Sequence, residues 1–221
     1  RQTEWGPYDW ERPHMRRRAT YPGIDVWEMM GENAAFDLDR VTVEGNATVA
    51  LEGNWLLVRG AAGAATPYRL LVEDGHDLLT GDGLILATTW NVRHFQWTTD
   101  PQLYTDEQGA ITPRDDDADR LAAWRAEGAA NGYDVERKDL LLAFGSGGPD
   151  GMDAADRFGT IASTTVTLPA GSWRLATRSD DGIRVWLDDE LVIDDWTWHG
   201  PRDHDHSFEL AGERAVTIRV E

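Results

Sequence analysis

The chain has 221 residues, 41% of them hydrophobic, with eleven Trp, no Cys and a net charge of −19, and its 21 basic side chains include one lysine, Lys138. That charge excludes the basic stripe a nucleic-acid partner needs, since the one basic run, Arg16-Arg17-Arg18, is short. The missing cysteine removes disulfides, thiolate metal sites and thiol nucleophiles together, and no stretch approaches the roughly 18 apolar residues of a membrane span.

An acidic, lysine-poor surface fits either a high-salt environment or an arginine-favouring genome. The first residue is Arg1, and no charged-then-apolar leader follows it, so the chain reads as a mature or excised piece of a longer parent. Residues 1–23 are aromatic and proline-punctuated, an extended arm expected to pack through Trp5, Tyr8 and Trp10. From Ile24 to Thr88 short apolar runs alternate with turn signals, which predicts a small all-β domain of about five strands. Within it "DRVTVEGN" and "ATVALEGN" both end in Glu-Gly-Asn and read as neighbours in a meander. "WLLVRG", "YRLLVEDG" and "GLILATTW" have more continuous apolar runs, as strands buried on both faces would show.

Residues 89–221 form the second predicted domain. One helix is expected in "DDDADRLAAWRAEGAANG", with acidic residues at its start, Leu121, Trp124 and Arg125 on one face, and Asn131-Gly132 as its stop. The strands "STTVTL", "GSWRLATR", "GIRVWL", "LVID", "DHSFEL" and "AVTIRV" follow. In the last, Val216, Ile218 and Val220 alternate with polar residues, so one face is buried and one wet.

The stretch "RSDDGIRVWLDDELVIDDW", residues 178–196, holds six Asp and one Glu. It reads as a hairpin, and a three-residue turn pairs Leu187 with Leu191 and Val185 with Ile193, matching the apolar face better than a two-residue turn. Asp188, Asp189 and Glu190 then lie at a solvated tip. Asp180, Asp181, Asp194 and Asp195 converge at the other end. Two readings of that convergence stand: a turn whose short side chains bond their own backbone, or a cation site. Calcium suits an all-oxygen cluster better than zinc does.

The stretch "LPAGSWRLATRSDDGIRVWLDDELVIDDW", with "DRFG" before it and "FELAGERAVTIRV" after, resembles the PA14 domain, a β-sandwich of toxins, glycosidases and surface adhesins. With "WNVRHFQW" as an opening strand, the resemblance covers about residues 89–221. It implies that Asp180 and Asp181 coordinate calcium, sometimes across a cis peptide, and that the ion holds sugar hydroxyls. The family's calcium-dependent members complete the site with a later loop that often bears Asn, whereas "ELAGERAV" is short and has none.

Trp186 is expected on the face opposite Val185 and Leu187, as an exposed sugar-stacking platform, with Trp196, Trp198 and His199 as further carbohydrate-binding candidates. His204 and His206 share a face if their segment is extended, which suits two imidazole ligands, but no third ligand is fixed by spacing and a solvated loop with acid-paired histidines is the preferred reading. Asp150, Asp153 and Asp156 lack calcium-loop spacing and read as a turn. Asn46-Ala47-Thr48 is a formal glycosylation sequon. No nucleophile-base pair or phosphate loop is present. The expectation is therefore a non-catalytic carbohydrate-binding module of a secreted or surface protein, part of a larger chain, with no membrane insertion. A structural spacer or adhesion module, and an accessory part of a glycan-active enzyme, are the alternatives.

Overall fold

The structure is a computed structural model that describes residues 14–30, 37–73, 78–105, 110–145, 147–152 and 156–221, with Tyr104 and Thr105 described by backbone alone. The chain divides into two compact units, Arg1–Thr88 and Thr89–Glu221.

The first unit contains strands β1 (His14–Tyr21), β2 (Ile24–Met30), β3 (Val41–Gly45), β4 (Thr48–Glu52), β5 (Trp55–Arg59), β6 (Ala64–Glu73) and β7 (Leu78–Ala87). One sheet has the order β1-β2-β5-β4, and β3, β6 and β7 pair in a second set. Part of the expected arm is thus a strand: His14–Tyr21 pairs antiparallel with Ile24–Met30 across the Pro22-Gly23 turn, where Gly23 has φ +83°. Residues 1–13, with Trp5, Tyr8 and Trp10, lie outside the described residues.

The Glu-Gly-Asn repeat does not mark a meander. β3 pairs with β6 and β4 with β5, because Gly45, at φ +100°, turns the chain from one sheet into the other. Nor are the later strands buried on both faces. Leu56, Val58, Leu70, Val72 and Ile85 are fully buried around Trp27 and Met29, while Leu84 and Leu86, on the other face of β7, are exposed. Alternation along each strand explains the split, since successive side chains leave opposite faces.

The second unit holds β8 (Trp90–Gln96), β9 (Tyr104–Thr105), β10 (Ile111–Thr112), helix α1 (Asp117–Asn131), β11 (Tyr133–Arg137), β12 (Phe158–Leu168), β13 (Gly171–Ser179), β14 (Ile183–Leu187), β15 (Glu190–Asp195), β16 (Arg202–Leu210) and β17 (Arg214–Val220). An antiparallel run β11-β8-β12-β17-β14-β15 forms one layer, and β13 and β16 pair in another. The layers meet at Ile183, Val185 and Ile193, against which Leu175 of β13 packs with Ile218 and Val220, so the unit is an all-β sandwich with one short helix. That helix buries Trp124 between Phe95 and Trp196, at ring-centroid distances of 4.8 and 5.2 Å. These are ordinary spacings for tilted aromatic pairs.

The acidic hairpin closes differently from expectation. Its tip is a two-residue turn pairing Leu187 with Glu190, and a bulge after Val185 then restores Val185 opposite Ile193. The extra residue lets a tight turn and a matched apolar face coexist. Asp188, at φ +54°, is more than a solvated tip residue: its Oδ1 accepts from the Thr217 N–H at 2.9 Å and its Oδ2 from Arg214 at 2.8 Å. It fastens the tip to β17.

Candidate functional site

Three links meet at the open end of the hairpin: residues 97–103 after β8, the Ser-Asp-Asp-Gly turn between β13 and β14, and residues 196–201 after β15. The first and third are joined by the Leu103 N–H donating to the Trp196 carbonyl at 2.8 Å, within a local parallel bridge. Gly182 closes the group. A Cβ there would lie 2.8 Å from Gln102 Nε2 and 3.1 Å from both the Asp195 carbonyl oxygen and the Thr197 nitrogen, so any larger residue must push Gln102 aside and shift the backbone of the third link.

The Asp180–Asp181 peptide is cis. Asp180 is exposed and Asp181 half-buried, and Asp181 Oδ1 accepts the His199 backbone N–H at 3.2 Å. Burial pushes the Asp181 carboxyl up; the His199 N–H and the His199 ring oppose that, while the neighbouring charges of Asp180 and Asp100 add to it. Asp100 is the member that sequence reasoning missed. Its Oδ1 accepts from the Gln102 N–H at 3.0 Å and its Oδ2 from the Trp198 indole at 3.4 Å. Asp100 is remote in sequence from the Ser-Asp-Asp-Gly turn, and the sole local signal is the Asp-Pro step of "TTDPQ", which marks a turn and not its partner.

The four expected carboxylates do not converge. Asp194 and Asp195 are successive strand residues and leave opposite faces. Asp194 pairs with Arg184 Nε at 2.7 Å, the residue opposite it in register. Asp195 turns inward and is held on both oxygens. Thr197 Oγ1 donates to Oδ1 at 2.6 Å; Arg202 and His204 Nε2 approach Oδ2 at 2.6 and 3.0 Å. Burial alone would raise the Asp195 carboxyl, but the Thr197 and Arg202 hydrogen bonds and the flanking cationic groups take it below the usual carboxylate range. Among the described residues, no group of three or more His, Asp or Glu side chains is arranged as a metal centre.

The aromatic expectations divide as well. Trp186 is no open platform: it is buried, and the Arg219 guanidinium covers its ring 3.8 Å from the centroid. A bulky side chain on the outer face of a sandwich is better covered than left wet, and β17 supplies the cover. Trp196 belongs to the core with Phe95 and Trp124, and its indole donates to the Pro101 carbonyl at 2.9 Å. Trp198 is the exposed indole of the group, at 42% accessibility. The His199 ring is only 3% exposed, donating from Nδ1 to the Gly200 carbonyl while Nε2 lies 3.5 Å from Asp195, so it supports the site instead of facing a ligand. His204 and His206 stand on β16, not in a loop, and diverge in role, His204 reaching Asp195 and His206 stacking on Phe208. Asp203 and Asp205 pair with Arg178 and Arg174 on the exposed face. Of the Asp150, Asp153 and Asp156 group, Asp153 lies outside the described residues.

No curated protein matches the chain. Among solved structures it is similar to a GH31 alpha-xylosidase of Xanthomonas citri at 11% identity and TM-score 0.25, covering 93% of this chain and 32% of the xylosidase. It is also similar to the secreted serine protease VesC of Vibrio cholerae at 10% identity and TM-score 0.25, covering 96% of this chain and 46% of the protease. The chain thus spans less than half of either protein. Residues 123–221, running from within α1 through β17 and including the Ser-Asp-Asp-Gly turn, match the PA14 domain model.

Proposed function

We propose that the second unit is a non-catalytic carbohydrate-binding module of a secreted or surface protein, with Asp180 and Asp181 holding a calcium ion and Trp198 presenting the face on which a sugar stacks. PA14 domains are carbohydrate-binding-type modules of glycan-related and secreted proteins, which supports the class. The observation that carries the site is the environment of Asp181. Its carboxylate is penalised by burial and by Asp180 and Asp100, with the backbone N–H and the ring of His199 in opposition and an exposed indole bonded to Asp100. A carboxyl pushed up by burial and by two acidic neighbours, beyond what His199 offsets, is relieved by a cation.

The donor chemistry fits calcium, which takes six to eight oxygens in flexible geometry, and the acids at the turn supply oxygen alone. Asp194 and Asp195 do not fit, since Arg184, Arg202, His204 and Thr197 already satisfy them. When bound, calcium supplies a charge that attracts sugar hydroxyls. The protein's own residues do the rest: the His199 N–H orients Asp181, and Asp100 holds the Trp198 indole by its N–H so that the ring face stays available. Aromatic faces beside acidic acceptors match a saccharide, with apolar C–H faces and polar hydroxyl edges.

Calorimetric titration of the chain with calcium, followed by a glycan array with and without chelator, tests this. Uptake by wild type, its loss in Asp181→Asn, and chelator-sensitive glycan signals are expected. No uptake, or uptake unchanged in the variant, overturns the calcium part; a silent array overturns the carbohydrate part and favours a spacer.

A further inference from the structure

The first unit carries a feature that the carbohydrate reading leaves unused. No asparagine in the chain except Asn46 is followed by Ser or Thr at the second position, and the intervening residue, Ala47, is not proline. The fold presents this tripeptide outward. Ala47 is 9% exposed and packs into the core with Trp27, Leu56 and Tyr68, whereas Asn46 and Thr48 on either side of it are exposed. In extended chain, neighbouring side chains leave opposite faces, so an anchored Ala47 turns both flanking residues to solvent. Gly45 fixes the approach: at φ +100°, with a Cβ at this position only 2.5 Å from the Pro67 carbonyl oxygen, it holds the backbone against β6. Asn46 follows at a bend that links the two sheets, and Thr48 opens β4 with its backbone paired to Arg59.

We propose that Asn46 is an N-glycosylation site of the exported chain, with a lipid-linked oligosaccharide as co-reactant. The Nδ2 of Asn46 forms a bond to the anomeric carbon of the sugar. The bond from that carbon to the lipid-carried phosphate breaks, the phosphate leaves as an anion, and the amide gives up one proton. The Thr48 hydroxyl is the recognition group of the acceptor. An exposed bend accommodates the bulky product without displacing core side chains, and Ala47 keeps its packing.

The chain is secreted from a yeast host behind an export signal, and its intact mass is read before and after treatment with peptide N-glycosidase. Wild type is expected to carry a glycan mass that the glycosidase removes. Asn46→Gln and Thr48→Ala lose it, and Thr48→Ser, which keeps the hydroxyl, retains it. Thermal melts of the deglycosylated forms separate lost acceptor chemistry from lost folding. Secreted, folded wild type with no added mass overturns the proposal, as does added mass that persists in Asn46→Gln. Neither outcome bears on calcium or sugar binding, which are read separately.

Discussion

Asp195 and Asp181 stand at the same end of one hairpin, both partly withdrawn from water, and their carboxyls shift in opposite directions. Asp195 lies among Arg202, His204 and Thr197, which favour its ionised form. Asp181 lies beside Asp180 and Asp100, with the backbone N–H and the ring of His199 too little to offset burial. Burial works against both charges, so the neighbours decide the sign. The first is a finished ion cluster that braces the loops; the second is an electrostatic debit suited to a cation.

The largest effect is expected from breaking the finished cluster. Asp195→Asn removes the negative charge that Arg202 and His204 share and turns one of its two acceptor oxygens into a donor, and loss of a mostly buried charge partner costs about 2–3 kcal/mol. Thermal denaturation then shows a fall of roughly 4–10 °C. The pH dependence follows from the direction of the shift. With the folded-state carboxyl depressed, the stabilisation is present above the unfolded value, near about 3.9, and drains as pH falls through the folded value. The acid limb of the stability curve should therefore flatten in the variant.

Gly182→Ala comes next. Its Cβ meets Gln102 and the backbone at Asp195 and Thr197, an overpacking of about 1–3 kcal/mol that spreads the three links. Chemical denaturation reads the loss, and calcium titration should weaken alongside it. Asp181→Asn sharpens the contrast because it acts the other way. Ionising Asp181 costs stability as pH rises from the unfolded value through the raised folded one, so without calcium the variant melts higher than wild type at neutral pH. Below about pH 4 the difference vanishes, since wild type is then protonated in both states. Saturating calcium should reverse the order at neutral pH, because only wild type gains from binding. The smallest stability effect is that of Trp198→Ala. An exposed side chain shifts stability by about 0.5 kcal/mol or less, while sugar affinity, followed by titration, falls at least tenfold, about 1.4 kcal/mol.

Much of this arrangement was legible along the chain. Period-two alternation carried the all-β class, and one stretch with helical spacing and acidic residues at its start gave α1 its place. The Ser-Asp-Asp-Gly signature located the turn that the PA14 match includes. The failures share a cause. Trp186, Trp196 and Trp198 are one residue type within a short stretch, yet the first lies under Arg219, the second in the core, and the third in solvent. Which of these holds depends on what another strand brings to that face. Strand alternation alone bears on Asp194: register sets Arg184 opposite it, and their ion pair removes that carboxylate from any cluster.

The sequence by itself determined the strand periodicity, the helix, the acidic turn and the PA14 match of the C-terminal part, because each depends on residues close together in the chain. Only the tertiary structure decided which carboxylates share a field. Asp100 reaches Asp181 through the packing of three links around Gly182, while Arg202 and His204 reach Asp195 from the following strand. Coulombic coupling depends on distance and dielectric, and neither is written in local spacing.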